Sequence, residues 1–362
     1  MSFKSLRTVS FRNLCGEEAD LRGKNIFLVG ENGQGKTNFM EALYFCSYAS
    51  SFRGVKDGEA ANRDSSGDFS VQAEIDSAVY TNINVTYRDG KKTFSLDGKK
   101  TADRKELLDV IPSVIFCHED MDFVSGTPER RRWFFDQTQS LGDVLYLDDL
   151  RNYRKIMKNR NAVLKNGYSG DAAALLDALD PQLVTYGFSL IAKRKELAGY
   201  FSSVFEPLYN EISGIDDVKI RYVPSWKSGD PEEELPTLRG RREKDFALGL
   251  SLSGPHRDIY IFTRKGKEFS KQASTGQKRL LALLLRAAQA RIFSQRTGKK
   301  PVLLLDDVLL ELDGEKRRRF LQLMPDYSQA FYTFLPEEPY QNYQKSDTIV
   351  YSMKEGRLRA GI

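Results

Sequence analysis

Hydrophobic and polar residues alternate along much of the first third of the chain, a pattern typical of strands with one buried face. Turn signals at Asp89-Gly90 and Asp97-Gly98 separate the alternating segments. The sequence therefore predicts an antiparallel β layer in this part of the chain. The residues predicted to share one face of each segment are Phe69, Val71, Ala73 and Ile75, then Ile83, Val85 and Tyr87, and then Phe94 and Leu96.

From Thr127 onward the apolar residues recur at roughly helical spacing. The pair Thr127-Pro128 predicts a helix start, with threonine as the cap and proline in the first turn. Gly167 to Gly170 indicates a break, and we expect Pro181 to open a further helix. The spacing over residues 127–213 is not a strict heptad, so packed helices or a short arm are expected and not a long coiled coil.

The remaining segments differ in composition and in the structure that they predict. Residues 226–244 are rich in proline, glycine and charge, which predicts a mobile loop. Ile259–Phe262 has the character of a strand, and a strongly apolar helix is predicted from Thr275 to Ile292. Val302–Leu305 is a short apolar run of the kind found in strands buried on both faces.

The length of 362 residues is enough for two or three compact units. We expect an N-terminal lobe over residues 1–126, a helical domain over 127–213 and a C-terminal lobe over 214–362. Hydrophobic residues make up 40% and charged residues 29%, as in soluble globular proteins. No run approaches the roughly 18 apolar residues that span a bilayer, and the first residues lack the apolar core of a signal peptide, so a cytoplasmic protein is expected.

Cysteine and histidine are too scarce to suggest metal or thiol chemistry. The three cysteines and two histidines show no metal-ligand spacing, so we expect no structural zinc site. Cys117 and His118 are neighbours, but adjacent side chains rarely face each other, which argues against a catalytic dyad. The net charge of +5 permits nucleic-acid binding without requiring it.

A phosphate-binding loop follows the apolar residues Ile26–Val29. The segment GENGQGKTN fits the pattern GxxxxGK[ST], in which glycines turn backbone N–H groups toward phosphate oxygens at a helix N-terminus. Lys36 is expected to reach the β and γ phosphates of ATP, and the Thr37 hydroxyl to hold Mg²⁺. The predicted ATP-binding residues are Gly30, Glu31, Asn32, Gly33, Gln34, Gly35, Lys36, Thr37 and Asn38.

A second candidate site is the segment PVLLLDDVLLELD, residues 301–313. A buried strand that ends in a carboxylate would deliver Asp306 to Mg²⁺, and Asp307 is then placed to orient or deprotonate the attacking water. The run alone is weak evidence, because many buried strands end in a polar turn. It becomes informative because the phosphate loop with Lys36 occurs in the same chain.

A third motif precedes the apolar helix. In ABC-type ATPases a segment of the form S-x-G-Q lies at a helix N-terminus and contacts the γ-phosphate bound by the opposite subunit. The alternative is simply a serine-capped helix. The motif lies between the phosphate loop and the aspartate pair in the sequence, and Asp313 follows as the D-loop residue. This order of motifs favours the ABC interpretation. It also predicts a homodimer that closes upon ATP binding. The signature residues, acting in trans, are Ser274, Thr275, Gly276 and Gln277.

The spacing of these motifs narrows the kind of ABC-type ATPase that the sequence can encode. Lys36 and Asp306 lie 270 positions apart, more than a transporter ATPase subunit needs and less than the coiled-coil insertions of SMC and Rad50 heads require. The predicted fold is therefore α/β: an ABC-type, Rad50/SMC-like P-loop ATPase head with an inserted, mostly α-helical second domain.

At this point the sequence resembles the RecF family of bacterial recombinational-repair ATPases. Its most specific matches are Ser253–Asp258, which includes Gly-Pro-His-Arg-Asp, and the arginine-rich block after Gly126. The other matching segments are Phe11–Asn13, Gly30–Phe45, Ser51–Arg53, Glu119–Asp136, Tyr153, Lys158–Asn161, Leu164-Lys165, Ser274–Arg279 and Leu303–Asp313.

The resemblance implies ATP-dependent dimerisation, DNA binding and action with RecO and RecR in directing RecA onto single-stranded gaps. It also implies a role in recombinational repair and replication-fork maintenance, with weak, DNA-stimulated ATP hydrolysis. Three departures concern local contacts. Leu309-Leu310 stand where small residues are more usual, Ile259 replaces a second acidic residue, and Glu119 or Asp120 occupies the neighbourhood of the ABC Q-loop. Asp307 has a shorter reach than the commoner glutamate, so we expect slow hydrolysis.

Basic clusters are the candidates for contact with DNA phosphates, and each could instead be solvated surface charge. They are Arg130, Arg131, Arg132, Arg151, Arg154, Lys158, Arg241 and Arg242. Two other functions stay open from the residues alone. One is an ABC-type ATPase that acts on a protein partner, associated with a transporter or the ribosome, and the other is a scaffold that does not hydrolyse ATP.

Overall fold

The computed structural model describes residues 1–101, 103, 105–167 and 169–361, without the side chains of residues 310 and 311. The chain divides into two compact units, of which the first combines Met1–Asp120 with the chain from Leu283 onward and the second is Met121–Ala282. Residues 214–282, which the sequence groups with a C-terminal lobe, thus lie in the second unit. The three-part division at 126 and 213 stays a prediction about domains.

The first unit contains two sheets, with strands numbered along the whole chain. The first sheet is antiparallel throughout, in the order β2-β1-β4-β5-β6-β7. The strands of the unit are β1 (Ser2–Val9), β2 (Ala19–Asp20), β3 (Asn25–Val29), β4 (Phe69–Asp76), β5 (Asn82–Arg88), β6 (Lys91–Leu96), β7 (Lys99–Thr101), β8 (Ser113–Phe116), β12 (Val302–Leu305), β13 (Gln329–Phe334), β14 (Thr348–Lys354) and β15 (Arg357–Ala360). Alternate residues of β4 are buried, which confirms the predicted β layer.

The second sheet of this unit positions the candidate site. Its order is β15-β14-β3-β13-β12-β8, parallel apart from the edge strand β15. Every residue of β3, β8, β12 and β13 is buried, as expected for a parallel sheet covered on both faces. The carboxyl ends of β3 and β12 lie on either side of β13, at the sheet edge where α/β proteins bind ligands.

The helices of the first unit cover this sheet and include the one that carries the phosphate loop at its start. They are α1 (Lys36–Tyr48), α2 (Lys105–Val110), the greater part of α10 (Thr275–Thr297) and α11 (Gly314–Leu323). The α10 helix continues five residues beyond the predicted end at Ile292. No helix in the described part of the chain is both long and apolar enough to cross a membrane.

The second unit is mainly helical, as predicted, with a small antiparallel sheet in the order β11-β10-β9. Thr127 caps α4 and Pro128 stands in its first turn, which confirms the predicted start. The elements are α3 (Met121–Ser125), α4 (Pro128–Ser140), α5 (Val144–Lys165), α6 (Gly170–Ser213), β9 (Val218–Val223), α7 (Pro231–Gly240), α8 (Arg242–Leu248), β10 (Ile259–Arg264), β11 (Lys267–Glu268), α9 (Phe269–Gln272) and the first residues of α10.

Pro181 does not open a helix, and that prediction is wrong. It lies inside α6, which runs without interruption from Gly170 to Ser213. Packing explains the difference, because Leu183, Val184 and Leu190 of α6 join the buried core formed with α5. This burial after the proline, with Leu179 packed against the same core before it, outweighs its poor helix propensity.

The predicted mobile loop at residues 226–244 is also wrong. Helix α7 and the first residues of α8 occupy most of it, with Asp230 capping α7 and Pro231 in its first turn. Trp226 is 1% exposed, and its indole N–H donates to Ser253 Oγ at 3.3 Å. A proline-rich, charged segment can therefore be anchored when one large aromatic side chain is buried.

Candidate functional site

The loop between β3 and α1 surrounds a cleft of about 190 Å³ in the first unit. Gly33 and Gly35 adopt positive φ angles of 79° and 112°, the left-handed conformation that favours glycine. The cleft is lined by residues of the loop and by two others: Glu31, Asn32, Gly33, Gly35, Lys36, Thr37, Asn38, Arg53 and Asp307. The structure thus brings the phosphate loop and one residue of the aspartate pair to a single cleft.

Lys36 supplies the buried positive charge of this cleft. Its side chain is 4% exposed, and its ammonium group donates to Gly30 O at 2.5 Å and to Glu31 O at 3.2 Å. These carbonyl oxygens hold the ammonium over the loop, at the start of α1. Together with the dipole at the helix N-terminus, the ammonium makes the cleft attractive to polyanionic phosphate groups.

Thr37 and Asp306 meet at the carboxyl edge of the parallel sheet. The Thr37 hydroxyl donates to Asp306 Oδ1 at 3.0 Å. Burial, together with the neighbouring charge of Asp307, raises the pKa of Asp306 to about 7. A hydroxyl and a carboxylate oxygen suit Mg²⁺, which uses few protein ligands beside phosphate oxygens, and its charge would favour the ionised form of Asp306. Among the described residues, no group of three or more His, Cys, Asp or Glu side chains is placed to hold a metal ion.

Asp307 is held in an unusual backbone conformation. Its φ angle is 54°, the left-handed region that is uncommon for residues other than glycine. Its N–H donates to Thr333 Oγ1 at 2.7 Å, and the Thr333 hydroxyl in turn donates to Asp307 Oδ1 at 2.7 Å. The hydroxyl at the end of β13 therefore fixes both the backbone and the carboxylate of the predicted catalytic residue.

Arg53 enters the cleft from outside the predicted motifs. Its guanidinium donates to Asn38 Oδ1 at 2.9 Å and lies 3.6 Å from the fully buried carboxylate of Glu41. Arg12 makes a two-pronged pair with the same carboxylate, at 2.8 and 2.9 Å. Asn38 Nδ2 also donates to Asn13 Oδ1 at 2.7 Å. The Phe11–Asn13 and Ser51–Arg53 segments, which belong to the family resemblance but had no assigned role, therefore support the first turn of α1.

The turn between β14 and β15 supports the phosphate loop from its other side. Gly356 N donates to Gln34 O at 2.9 Å, and Glu355 N donates to Gln34 Oε1 at 2.7 Å. Gly356 has a φ of 76°, and a Cβ there would lie 1.8 Å from Asn13 O. Only glycine fits this position, and nothing in the local sequence pattern indicates its role.

The signature residues lie in the second unit, at the start of α10. Gln277 N donates to Ser274 Oγ at 3.3 Å, and Ser274 N donates to Gln277 Oε1 at 2.8 Å, so the two form a reciprocal capping box. The serine cap and the signature are thus the same feature. Ser274, Thr275 and Gly276 are exposed. Their contact with a second subunit stays a prediction.

The remaining residues of the predicted site differ in their burial and in their contacts. Asp313 caps α11 and accepts from Lys316 N at 2.9 Å, while remaining exposed. Asp120, in the predicted Q-loop neighbourhood, is buried and paired with Arg286 at 2.7 Å, whereas Glu119 is half-buried. Of the leucine pair at 309 and 310, the first is buried and the second side chain lies outside the description.

The consecutive arginines predicted to face DNA are half-buried in the second unit. Arg131 donates to Tyr260 O at 3.1 Å, and Arg132 donates to Asp258 O at 2.8 Å. Arg130 lies 3.5 Å from a carboxylate of α3. These interactions tie α4 to the start of β10, so part of the hydrogen-bonding capacity of the guanidinium groups is already used. Their contact with DNA stays a prediction.

The other basic candidates fall into two groups. Arg151, Arg154 and Lys158 are exposed along α5. Arg242, in contrast, donates to two carboxylates of α6 at 2.7 to 2.9 Å, while Arg241 is 44% exposed and 4.0 Å from a carboxylate of α7. The α5 row is therefore the most accessible of the predicted DNA-facing groups.

Comparisons with known proteins agree with this arrangement. Residues 2–357 match the family described as RecF/RecN/SMC N terminal domain. The DNA replication and repair protein RecF of Treponema pallidum is 43% identical over 97% of this chain and 99% of its own. The solved structure of the recombination mediator protein RecF with ATP, of the RecFOR pathway, superposes with a TM-score of 0.88 at 28% identity, covering 100% of this chain and 98% of that one. The structure of RecF with ATPrS gives a TM-score of 0.87 at 29% identity, covering 99% and 98%.

These similarities extend over the whole fold and confirm the predicted ABC-type, Rad50/SMC-like head with inserted helices. They also favour DNA replication and repair over a function associated with a transporter or the ribosome, since the relatives are named for DNA replication and repair. The chain belongs to the RecF family of DNA replication and repair proteins.

Proposed function

We propose that the protein is an ATP-controlled DNA clamp of recombinational repair, in which two copies close over two nucleotides and hydrolysis reopens them. The observation that carries this proposal is the cleft where Lys36, Thr37 and Asp307 converge at the carboxyl edge of the parallel sheet. The ATP in the related RecF structure supports the choice of nucleotide. The exposed signature residues at the start of α10 are available to a second copy.

In this proposal each residue of the cleft has a distinct task. The N–H groups of the loop and the Lys36 ammonium bind the β and γ phosphates. Mg²⁺, held by Thr37 and Asp306, would neutralise charge on the β and γ oxygens. Asp307 accepts a proton from the attacking water as ATP and water become ADP and phosphate. An aspartate reaches less far than a glutamate, which is consistent with weak hydrolysis that DNA stimulates.

The proposed setting follows from the relatives. RecF is named as a recombination mediator in the RecFOR pathway, which supports RecO and RecR as partners. We propose a cytoplasmic location, as the sequence leads us to expect. The family resemblance adds RecA loading at single-stranded gaps. Contacts to DNA phosphates, without readout of bases, would make binding insensitive to sequence and strongly dependent on salt.

The test is a measurement of molecular mass in solution with and without ATP, in the presence of gapped or duplex DNA. Asp307→Asn should bind ATP and accumulate as a dimer, because it keeps the nucleotide but loses the proton acceptor. Lys36→Ala should lose ATP binding and stay monomeric. An Asp307→Asn protein that stays monomeric with ATP and DNA would contradict the clamp.

Ser274→Arg provides the matched control for the composite site. Ser274 is exposed and lies in the second unit, so the variant should still bind ATP as a monomer. It should not dimerise, because the arginine places bulk where the partner's γ-phosphate would sit. Dimer formation by this variant at the wild-type level would show that the signature is not part of the site.

A further inference from the structure

The segment Gly254–Asp258 belongs to one of the two most specific sequence matches, yet nothing in the nucleotide site uses it. It forms a single 3-10 turn, Pro255–Arg257, that leads into β10. Gly254 has a φ of 132°, and a Cβ there would lie 2.6 Å from the Tyr153 hydroxyl. The turn therefore requires glycine, both for its backbone conformation and for the close approach of α5.

The imidazole of His256 is fixed at both nitrogens. Nε2 lies 3.0 Å from Ser251 O, and since a carbonyl can only accept, Nε2 carries the proton. Nδ1 lies 2.8 Å from the Tyr153 hydroxyl and accepts from it. Burial lowers the pKa of His256 to about 4, so the ring is neutral at physiological pH. The histidine is thus a structural member of the turn.

Asp258 closes the turn from the other side. Its carboxylate is 0% exposed, pairs with Arg194 at 2.8 Å and accepts from Ser225 N at 2.8 Å and from the Tyr222 hydroxyl. Arg194 also donates to Pro255 O at 2.7 Å. One buried guanidinium therefore clamps both ends of the turn.

Arg257 is the exception within the segment. It is exposed, and within the described residues no hydrogen bond or ion pair is formed by its side chain. The neighbouring buried carboxylate of Asp258 is paired with Arg194, and that of Asp136 is paired with Arg194 and lies 3.6 Å from Arg154. The buried contacts of the turn thus fix the backbone that carries one accessible guanidinium.

We propose that Arg257 is a phosphate-contacting residue of the DNA-binding surface, presented in advance by this rigid turn. A planar guanidinium binds phosphate oxygens through two parallel hydrogen bonds, and a rigid mount reduces the entropy lost on binding. The inference rests on the proposed DNA clamp and names a residue of its DNA contact that the basic clusters did not include.

Arg257 and the signature occupy different positions along the second unit. Arg257 precedes β10, whereas the signature begins at Ser274, ten residues after that strand ends at Arg264. The binding of ATP by an Arg257 variant therefore has to be measured beside its binding of DNA.

The test compares Arg257→Ala with wild type in binding a fluorescein-labelled gapped duplex, with ATP, at several salt concentrations. The variant should bind about tenfold more weakly at low salt, because a charge-assisted hydrogen bond is lost. The slope of log K against log salt should fall by about 0.7 to 0.9, the value for one phosphate contact. Binding of ATP should be unchanged. Arg257→Lys should keep the slope and recover part of the affinity.

Arg264→Ala is the matched control. Arg264 lies at the other end of β10 and is paired with Asp216 at 3.0 Å, so its loss should leave DNA affinity and salt slope at wild-type values. If wild type binds DNA and Arg257→Ala shows the same affinity and salt slope, the assignment of Arg257 to DNA contact is overturned, whereas the clamp proposal is not. Loss of RecR binding with unchanged DNA binding would also overturn it, in favour of a protein contact. If wild type with ATP bound no DNA at any salt concentration, the clamp itself would fail.

Discussion

At the scale of single residues, the hydroxyl of Thr333 is the least expected part of the nucleotide site. It receives a hydrogen bond from the Asp307 backbone and returns one to the carboxylate, each at 2.7 Å. A residue with a positive φ persists only where its surroundings hold it, and here one side chain does so. The orientation of the proposed proton acceptor thus depends on a residue that does not touch the phosphate loop.

Replacing Thr333 by valine should separate catalysis from binding. Valine keeps the shape but loses the hydroxyl, so kcat for ATP hydrolysis should fall about tenfold, the effect of one lost hydrogen bond. The Kd for ATP should stay within about twofold, since the phosphate loop is untouched. Steady-state hydrolysis and equilibrium nucleotide binding measure the two quantities.

Thr333→Ser is the control, because serine retains the hydroxyl and should keep most of the activity. An equal loss in both variants would indicate that the methyl group and packing matter, and not the hydrogen bond. Unchanged kcat in the valine variant would show that Asp307 holds its orientation without Thr333.

At the scale of elements, sequence periodicity was a good guide wherever one face of an element was buried. The alternation in β4 and the Thr127 cap of α4 were both predicted correctly, because each depends on nearby residues. The errors at Pro181 and at residues 226–244 share a cause. Local signals predicted a break or a loop, and burial against distant residues, such as Trp226 against Ser253, outweighed them.

The same reasoning accounts for the candidate site. The glycine-lysine loop and the aspartate pair carry their chemistry in adjacent residues, so the sequence displays them directly. Arg53, Thr333 and Gly356 contribute through folding that brings distant segments together, and a single serine cap cannot be told from a signature by pattern alone. No pattern in the residues around Gly356 indicates that it packs tightly against Asn13.

The uninterrupted helix α6 yields a prediction about stability. Proline in a helix interior removes a backbone hydrogen bond and costs up to about 3 kcal/mol, although it also restricts the unfolded chain. Pro181→Ala should therefore raise the free energy of unfolding by about 1–2 kcal/mol, measured by urea denaturation. Gln182→Ala, at the neighbouring exposed position, should change it much less. A destabilised Pro181→Ala protein would mean that the proline ring is needed for packing.

At the scale of the whole molecule, the two units differ in how the chain builds them. The second unit is one continuous segment with its own buried core, which includes Tyr146, Tyr153, Leu183 and Trp226. The first unit combines two segments that are far apart in sequence. The nucleotide cleft belongs to this discontinuous unit, whereas the signature and the Arg257 turn belong to the continuous one.

This difference predicts the behaviour of fragments. Residues 121–274, which end before the apolar helix α10, should fold alone and show a cooperative thermal transition by circular dichroism, because they contain a complete core. Residues 1–120 contain the phosphate loop but lack β12 to β15, so they should bind no ATP and show no such transition. A folded, ATP-binding 1–120 fragment would contradict the assignment of these strands to the site.

The turn at Gly356 has a consequence for folding of the protein during translation. Gln34 and its partner Glu355 are 321 positions apart, and the two strands that flank β3 both come from the later part of the chain. At about 5–20 residues per second, translation leaves the nascent phosphate loop without its support for roughly 15–60 s. A ribosome that stalls before this turn releases a product without a finished nucleotide cleft. Such truncated chains would be unable to enter the proposed ATP-dependent dimers, so full-length partners would not be trapped with defective ones.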